Sequence, residues 1–222
     1  MNSESYNHKI SLGSTCFPRI FLDRHGFENN YSVRMPFDGS VHHYETTCEI
    51  LRTNFEAFQE RNETKIYTNK SSNGNIVFKH SDLKARWNHE KKETTIKDFI
   101  KQQIKRKKQF NAVLGGNERI LFFMTPVWFP NRPEINKKSV EYPDKIINIL
   151  RARFPKLAFK IFFVNWRIGY PTKTKKTKFC YFCHIPMPRE NYNPNITQKD
   201  YLTQEGEQWE KEILEHMMNA TL

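Results

Sequence analysis

Residues 119–125, Arg119-Ile120-Leu121-Phe122-Phe123-Met124-Thr125, hold five apolar side chains in succession. Nothing polar alternates with them, so the segment is buried on both faces, as strands of a parallel sheet are. Residues 157–165 repeat the pattern with Ile161-Phe162-Phe163-Val164 at their centre. Between the two runs, residues 143–154 place Ile147, Leu150 and Phe154 at steps of three and four, the spacing of one helical face. Buried strand, helix and buried strand joined by short connections make a parallel α/β unit.

Working outward, residues 94–114 read as a helix through Ile96, Phe99, Ile104 and Phe110, ended by Gly115-Gly116. Asn73-Gly74 is a hairpin signal between strands at 63–69 and 75–80, the second of which delivers His80 to its exit. Residues 42–60 read as one helix, with His42-His43 a solvated cap at its head. On the other side, 126–133 is a loop carrying Trp128 and Phe129, 173–178 a basic turn, 179–185 a strand and 186–194 a proline-rich loop. A last helix at 203–218 shows Trp209, Ile213 and Met217 as an apolar stripe. No repeat or linker interrupts the chain. The expected fold is α/β, a single layered domain over 1–222 with a mainly parallel central sheet flanked by helices. Its motif-bearing part is 10–165, and a C-terminal strand and helix occupy 179–218.

Eighteen Phe, nine Tyr and four Trp among 222 residues supply a core and argue against a disordered chain. No apolar run approaches the ~20 residues a bilayer-spanning helix needs, and the N-terminus shows no secretory pattern. The expectation is a soluble cytoplasmic chain whose four Cys are thiols rather than a disulfide framework. The net charge of +12 admits nucleic acid or another polyanion as a partner. Lys105, Arg106, Lys107 and Lys108, with Lys175 and Lys176, are the residues that would bind it. No recognised nucleic-acid-binding motif accompanies them.

The strongest chemical lead lies in residues 10–22. Ile10-Ser11-Leu12 ends a strand, Gly13-Ser14 allows a tight turn, and Pro18 marks the first turn of a helix that begins close to Cys16 and stops at Gly26. A thiol there faces unpaired backbone N–H groups and the positive end of a helix dipole, which favours the thiolate. His80 is the candidate base, and Asp82 the group that would orient its imidazole. Asn165, at the exit of a buried strand, and Asp38, projected by the turn after Pro36-Phe37, are alternatives for the third position. Cys180-Tyr181-Phe182-Cys183-His184 contains a Cys-x-x-Cys pair. On a strand its two thiols point to opposite faces, so a core role is expected and no metal or other cofactor.

Ser11-Leu12-Gly13-Ser14-Thr15-Cys16, Pro36-Phe37-Asp38, Asn54-Phe55 and Phe78-Lys79-His80 follow one another in an order that resembles a family described as putative papain-like cysteine peptidases. The resemblance spans 10–165. It implies Cys16 as nucleophile and His80 as base in a thiol-dependent hydrolase acting on an acyl or peptide substrate. Gly39 stands where that family usually has Trp, and Ser81 separates the histidine from Asp82. Gly13-Ser14-Thr15-Cys16-Phe17 is also similar to the Gly-Ser-Cys-Phe-Ala family related to the SGNH hydrolases, which implies Ser14 as nucleophile of an esterase. The late Asp-x-x-His block of such an esterase is missing. A non-catalytic basic protein that binds a polyanion is the competing class.

Overall fold

The computed structural model describes residues 6–27, 34–70, 76–88, 90, 92–126, 142–166, 173–186, 188 and 204–220. Five strands form the central sheet: β1 (His8–Ser11), β6 (Arg119–Met124), β7 (Ala158–Asn165), β8 (Lys173–Lys176) and β9 (Cys180–His184), in the order β1-β6-β7-β9-β8. β1, β6, β7 and β9 run parallel, with Ile120 opposite Phe159 and Phe163 opposite Phe182. β8 closes the edge antiparallel to β9. The apolar runs therefore lie at the centre of a mainly parallel sheet, as expected.

The pleat divides the sheet's side chains between two cores. Ile10, Phe122, Phe159, Ile161 and Cys180 face one, and Leu121, Phe123, Phe162, Val164 and Cys183 face the other. Helices α1 (Phe17–Arg24) and α5 (Gln204–Met218) cover the second face, through Phe17, Phe21, Trp209, Ile213 and Met217. Helices α2 (Tyr44–Arg52), α3 (Ile96–Leu114) and α4 (Tyr142–Arg153) cover the first. Cys180 and Cys183 thus lie on opposite faces. Burial holds both thiols up near 12, the range of packed thiols rather than reactive ones.

Packed on the first face is a second, antiparallel sheet, of which the sequence pattern announces only the strand pair about Asn73-Gly74. It joins β2 (Ser40–Val41), β5 (Ala85–Trp87), β4 (Ile76–His80) and β3 (Ile66–Lys70) in that order. The strand pair expected around Asn73-Gly74 is present as β3 and β4, with Phe78 opposite Thr68, while the turn itself lies outside the described residues. β2 and β5 are two and three residues long, too short to show a period.

Two expectations are corrected. Residues 42–60 do not form one helix: α2 ends at Arg52, because Asn54 and Phe55 take left-handed φ values of 51° and 61°. Two short 3-10 helices, Glu56–Phe58 and Glu60–Lys65, follow. The Asn54 side chain holds this break by accepting from Asn111 at 3.0 Å and Arg153 at 2.7 Å. Residues 173–178 begin not as a turn but as β8, whose exposed lysines suit an edge strand that must not recruit another chain. Trp128, Phe129 and nearly all of the proline-rich loop lie outside the described residues.

Candidate functional site

Ser11 ends β1 at the carboxyl edge of the parallel strands, the edge where open α/β sheets bind ligands. The chain then turns through Gly13 and Ser14, at φ 75° and 64°, and enters α1 with Cys16 as its N-cap. Leu12 N donates to Phe123 O at 3.0 Å, and the Thr15 and Thr125 hydroxyls meet at 3.0 Å. These bonds fix the turn against the end of β6. Pro18 occupies the first helical turn, where its missing N–H costs nothing.

The segment from Met35 to His42 folds over this turn. Asp38 reverses it: its N–H donates to Met35 O at 3.1 Å, and its Oδ2 accepts from Met35 N at 2.8 Å. His42 N then donates to Ser14 O at 3.1 Å, which fastens the segment to the Cys16 turn. The His42 ring lies against Gly13, so closely that a Cβ at residue 13 would sit 2.6 Å from Cε1. His42 is 2% exposed, not a solvated cap. Its burial comes from Gly13, a residue far away in the sequence that has no side chain to keep the imidazole out. Its Nε2 meets Thr47 Oγ1 at 2.7 Å.

Three polar atoms of this cluster are buried without a hydrogen-bond partner among the described residues: Ser14 Oγ, Asp38 Oδ1 and His42 Nδ1. Leaving such atoms unpaired costs about 1–3 kcal/mol each. Burial also sets the charge states. It pushes the Cys16 thiol up to about 11, against the pull of the Arg86 guanidinium. It lifts the Asp38 carboxyl to about 6, against Arg19, whose Nε lies 3.9 Å from Oδ2. It lowers the His42 imidazole to about 3. The thiolate expected from the helix dipole is not the resting state: at neutral pH both the thiol and the imidazole are uncharged.

His80 lies elsewhere. It ends β4 opposite Ala85 of β5, and β5 in turn separates β4 from β2. At the usual 4.8 Å strand spacing it is about 10 Å from the strand position that His42 continues. Its Nε2 is 3.3 Å from Ala57 O, and its Nδ1 accepts from Leu83 N at 3.4 Å, so both ring nitrogens point to backbone. Burial lowers its pKa. Asp82 is exposed and gives its carboxylate to Lys65 at 2.7 Å and Ser81 at 3.0 Å, and these bonds hold its pKa down. Asn165 ends β7, two strands and about 10 Å from β1. Of the residues singled out from sequence, the fold gathers Ser14, Cys16 and Asp38, and it sets His80, Asp82 and Asn165 apart from them.

A family model described as "Putative papain-like cysteine peptidase" matches residues 7–169. The chain belongs to that family. No curated protein matches it. The span that the family model matches contains the whole Cys16 turn, His42 and His80, and it stops short of β8, β9 and α5. Sequence reasoning missed His42 within the span. The signal was available: a histidine four residues beyond Asp38, on a segment already singled out for its turn.

The basic residues divide. Arg106 is 5% exposed and spans Glu90 with two bonds, 2.8 and 3.2 Å, plus one to Gln102, so its guanidinium is consumed within the protein. Lys105 and Lys108 are exposed on α3 and Lys107 is half-buried, whereas Lys175 and Lys176 belong to the exposed edge strand β8. No helix among the described residues is long and apolar enough to cross a membrane.

Proposed function

We propose that the chain is a thiol hydrolase in which Cys16 attacks the carbonyl of an acyl or peptide substrate and His42 serves as the base. The observation that carries this reading is the set of buried, unpaired polar atoms of Ser14, Asp38 and His42 around the Cys16 turn. In folded proteins buried polar atoms such as these are met by protein, ordered water or a ligand, so the three together mark a polar site at the Cys16 turn. Family membership supports the general kind of chemistry.

The charge states define the mechanism. A thiol held near 11 and an imidazole held near 3 do not form a standing ion pair. Sγ attacks as its proton passes to the imidazole, in the manner of a serine hydrolase. The first-turn N–H groups of α1 face the developing oxyanion. Collapse breaks the bond to the leaving group, which takes the proton from the imidazolium, and water then releases the acyl group. Asp38, ionised above about 6, offsets the transient positive charge on His42.

The test is hydrolysis of a panel of activated esters and peptide anilides by wild type, Cys16→Ala, His42→Gln and His80→Gln. Loss of a general base typically costs 10²–10⁴-fold, so His42→Gln falls by about that much, while Cys16→Ala lacks the nucleophile and loses turnover. His80→Gln keeps turnover by the folded protein, because the His80 imidazole lies about two strand spacings from the proposed base. Loss with His80→Gln and not with His42→Gln transfers the base to His80 and Asp82. Full activity of Cys16→Ala removes the thiol reading.

A further inference from the structure

Arg86 occupies the middle of β5, opposite Val41 of β2. Val41 is the neighbour of His42, whose N–H is bonded to Ser14 O at the Cys16 turn. Strand pairing thus sets Arg86 one strand spacing, about 4.8 Å, from the segment that closes over the site. Ala85 and Trp87 point into the core, so Arg86 points out. Its charge reaches the Cys16 thiol and acts on it. Arg24 and Arg106 are tied to Glu210 and Glu90. Arg86 makes no hydrogen bond and no ion pair among the described residues. Lys79, opposite Arg86 on β4, adds a second positive charge to the same outer face.

A guanidinium that is free, solvent-facing and within electrostatic reach of a nucleophile is placed to hold a carboxylate on the group being attacked. We propose that Arg86 is a specificity residue that selects acyl or peptide substrates carrying a negative charge close to the scissile carbonyl. The inference rests on Cys16 being the nucleophile, and it adds the charge of the substrate. It assigns Arg86 to binding, not to proton transfer.

The test needs no natural substrate. Iodoacetate and iodoacetamide alkylate a thiolate by the same displacement, forming an S–C bond and expelling iodide, and they differ by one carboxylate. The ratio of their rates at Cys16, read by mass spectrometry at pH 9 on the full chain, cancels any change in thiol pKa or access. One unit-charge contact at about 4 Å in water is worth about 1 kcal/mol, or roughly fivefold. Wild type is expected to show an iodoacetate-to-iodoacetamide ratio about fivefold above that of Arg86→Gln. Arg86→Lys keeps most of the preference, and 1 M salt erases it. Equal ratios in wild type and Arg86→Gln overturn the proposal while leaving Cys16 as nucleophile. A wild-type ratio indifferent to salt overturns it as well, whether or not Arg86→Gln folds. Failure of both reagents to label Cys16 overturns the inference together with the hydrolase reading.

Discussion

A thiol at a helix N-terminus feels two opposing effects, the dipole that favours its anion and the loss of water that disfavours it. The dipole is worth about 0.3–1 kcal/mol, whereas full burial moves a pKa by as much as about 3–5 units. At Cys16, 4% exposed, burial wins. Asp38 obeys the same rule, and its effect on stability has a definite sign. Its native value of about 6 lies above the ordinary 3.8, so between those values the folded state holds more protons than the unfolded one. Stability from this group is therefore present in acid and declines as pH rises through the window, by on the order of 3 kcal/mol. Asp38→Asn removes that decline and leaves the opposite dependence of His42 in both proteins. Going from pH 4 to pH 8, the variant gains on wild type by up to that amount in urea denaturation. Equal differences at the two pH values would show that Asp38 is not buried as a charge. Sequence gave access to Cys16 and Asp38 because local turn chemistry exposes them. It marks His42 as a histidine close to the Asp38 turn, but the packing of that ring on Gly13 and the outward exposure of Arg86 rest on contacts distant in sequence and on a strand too short to have a pattern.

Among the elements, the parallel strands were legible because runs such as 120–124 and 161–164 have no polar side to mistake. α2 was read too long because apolar spacing continues through Phe55 and Phe58. The left-handed pair Asn54 and Phe55 is imposed from outside, by Arg153 on α4 and Asn111 on α3. The turn between β1 and α1 allows a sharper test. Gly13 and Gly26 share nearly the same φ, 75° and 73°, but a Cβ meets the His42 ring at Gly13 and nothing within 4 Å at Gly26. Gly26→Ala therefore costs only the left-handed backbone penalty, about 1–2 kcal/mol. Gly13→Ala adds overpacking of about 1–3 kcal/mol and displaces His42. Thermal unfolding of the two variants isolates the steric part, and Gly13→Ala alone should also lose hydrolysis. Equal destabilisation would mean that the imidazole does not rest on Gly13.

At the scale of the whole molecule, the family match ends at 169, yet the sheet does not end there. β9 pairs with β7 on the side away from β6, so without it a buried, largely apolar strand becomes an open edge. α5 lays Trp209, Ile213 and Met217 over the face that α1 shares. Trp209 lies 5.4 Å from Phe17, the residue after Cys16, and 6.0 Å from Trp166. Farther along α1, Arg24 and His25 both reach Glu210 of α5, His25 at 3.1 Å. The helix that begins at the thiol is thus clamped at both ends by a segment outside the family span. Each large apolar side chain buried is worth about 1.5–3 kcal/mol, so Trp209, Ile213 and Met217 together supply about 5–9 kcal/mol. That equals much of the 5–15 kcal/mol by which a domain is stable. A chain cut after residue 169 is therefore expected to lose the cooperative fold and to aggregate through β7 rather than to persist as a smaller hydrolase. Circular dichroism melting and size-exclusion chromatography of the truncated and intact chains decide the matter. A monomeric fragment with a sharp transition and reactive Cys16 would show that residues 7–169 hold the site unaided, and that β8, β9 and α5 are an addition to it.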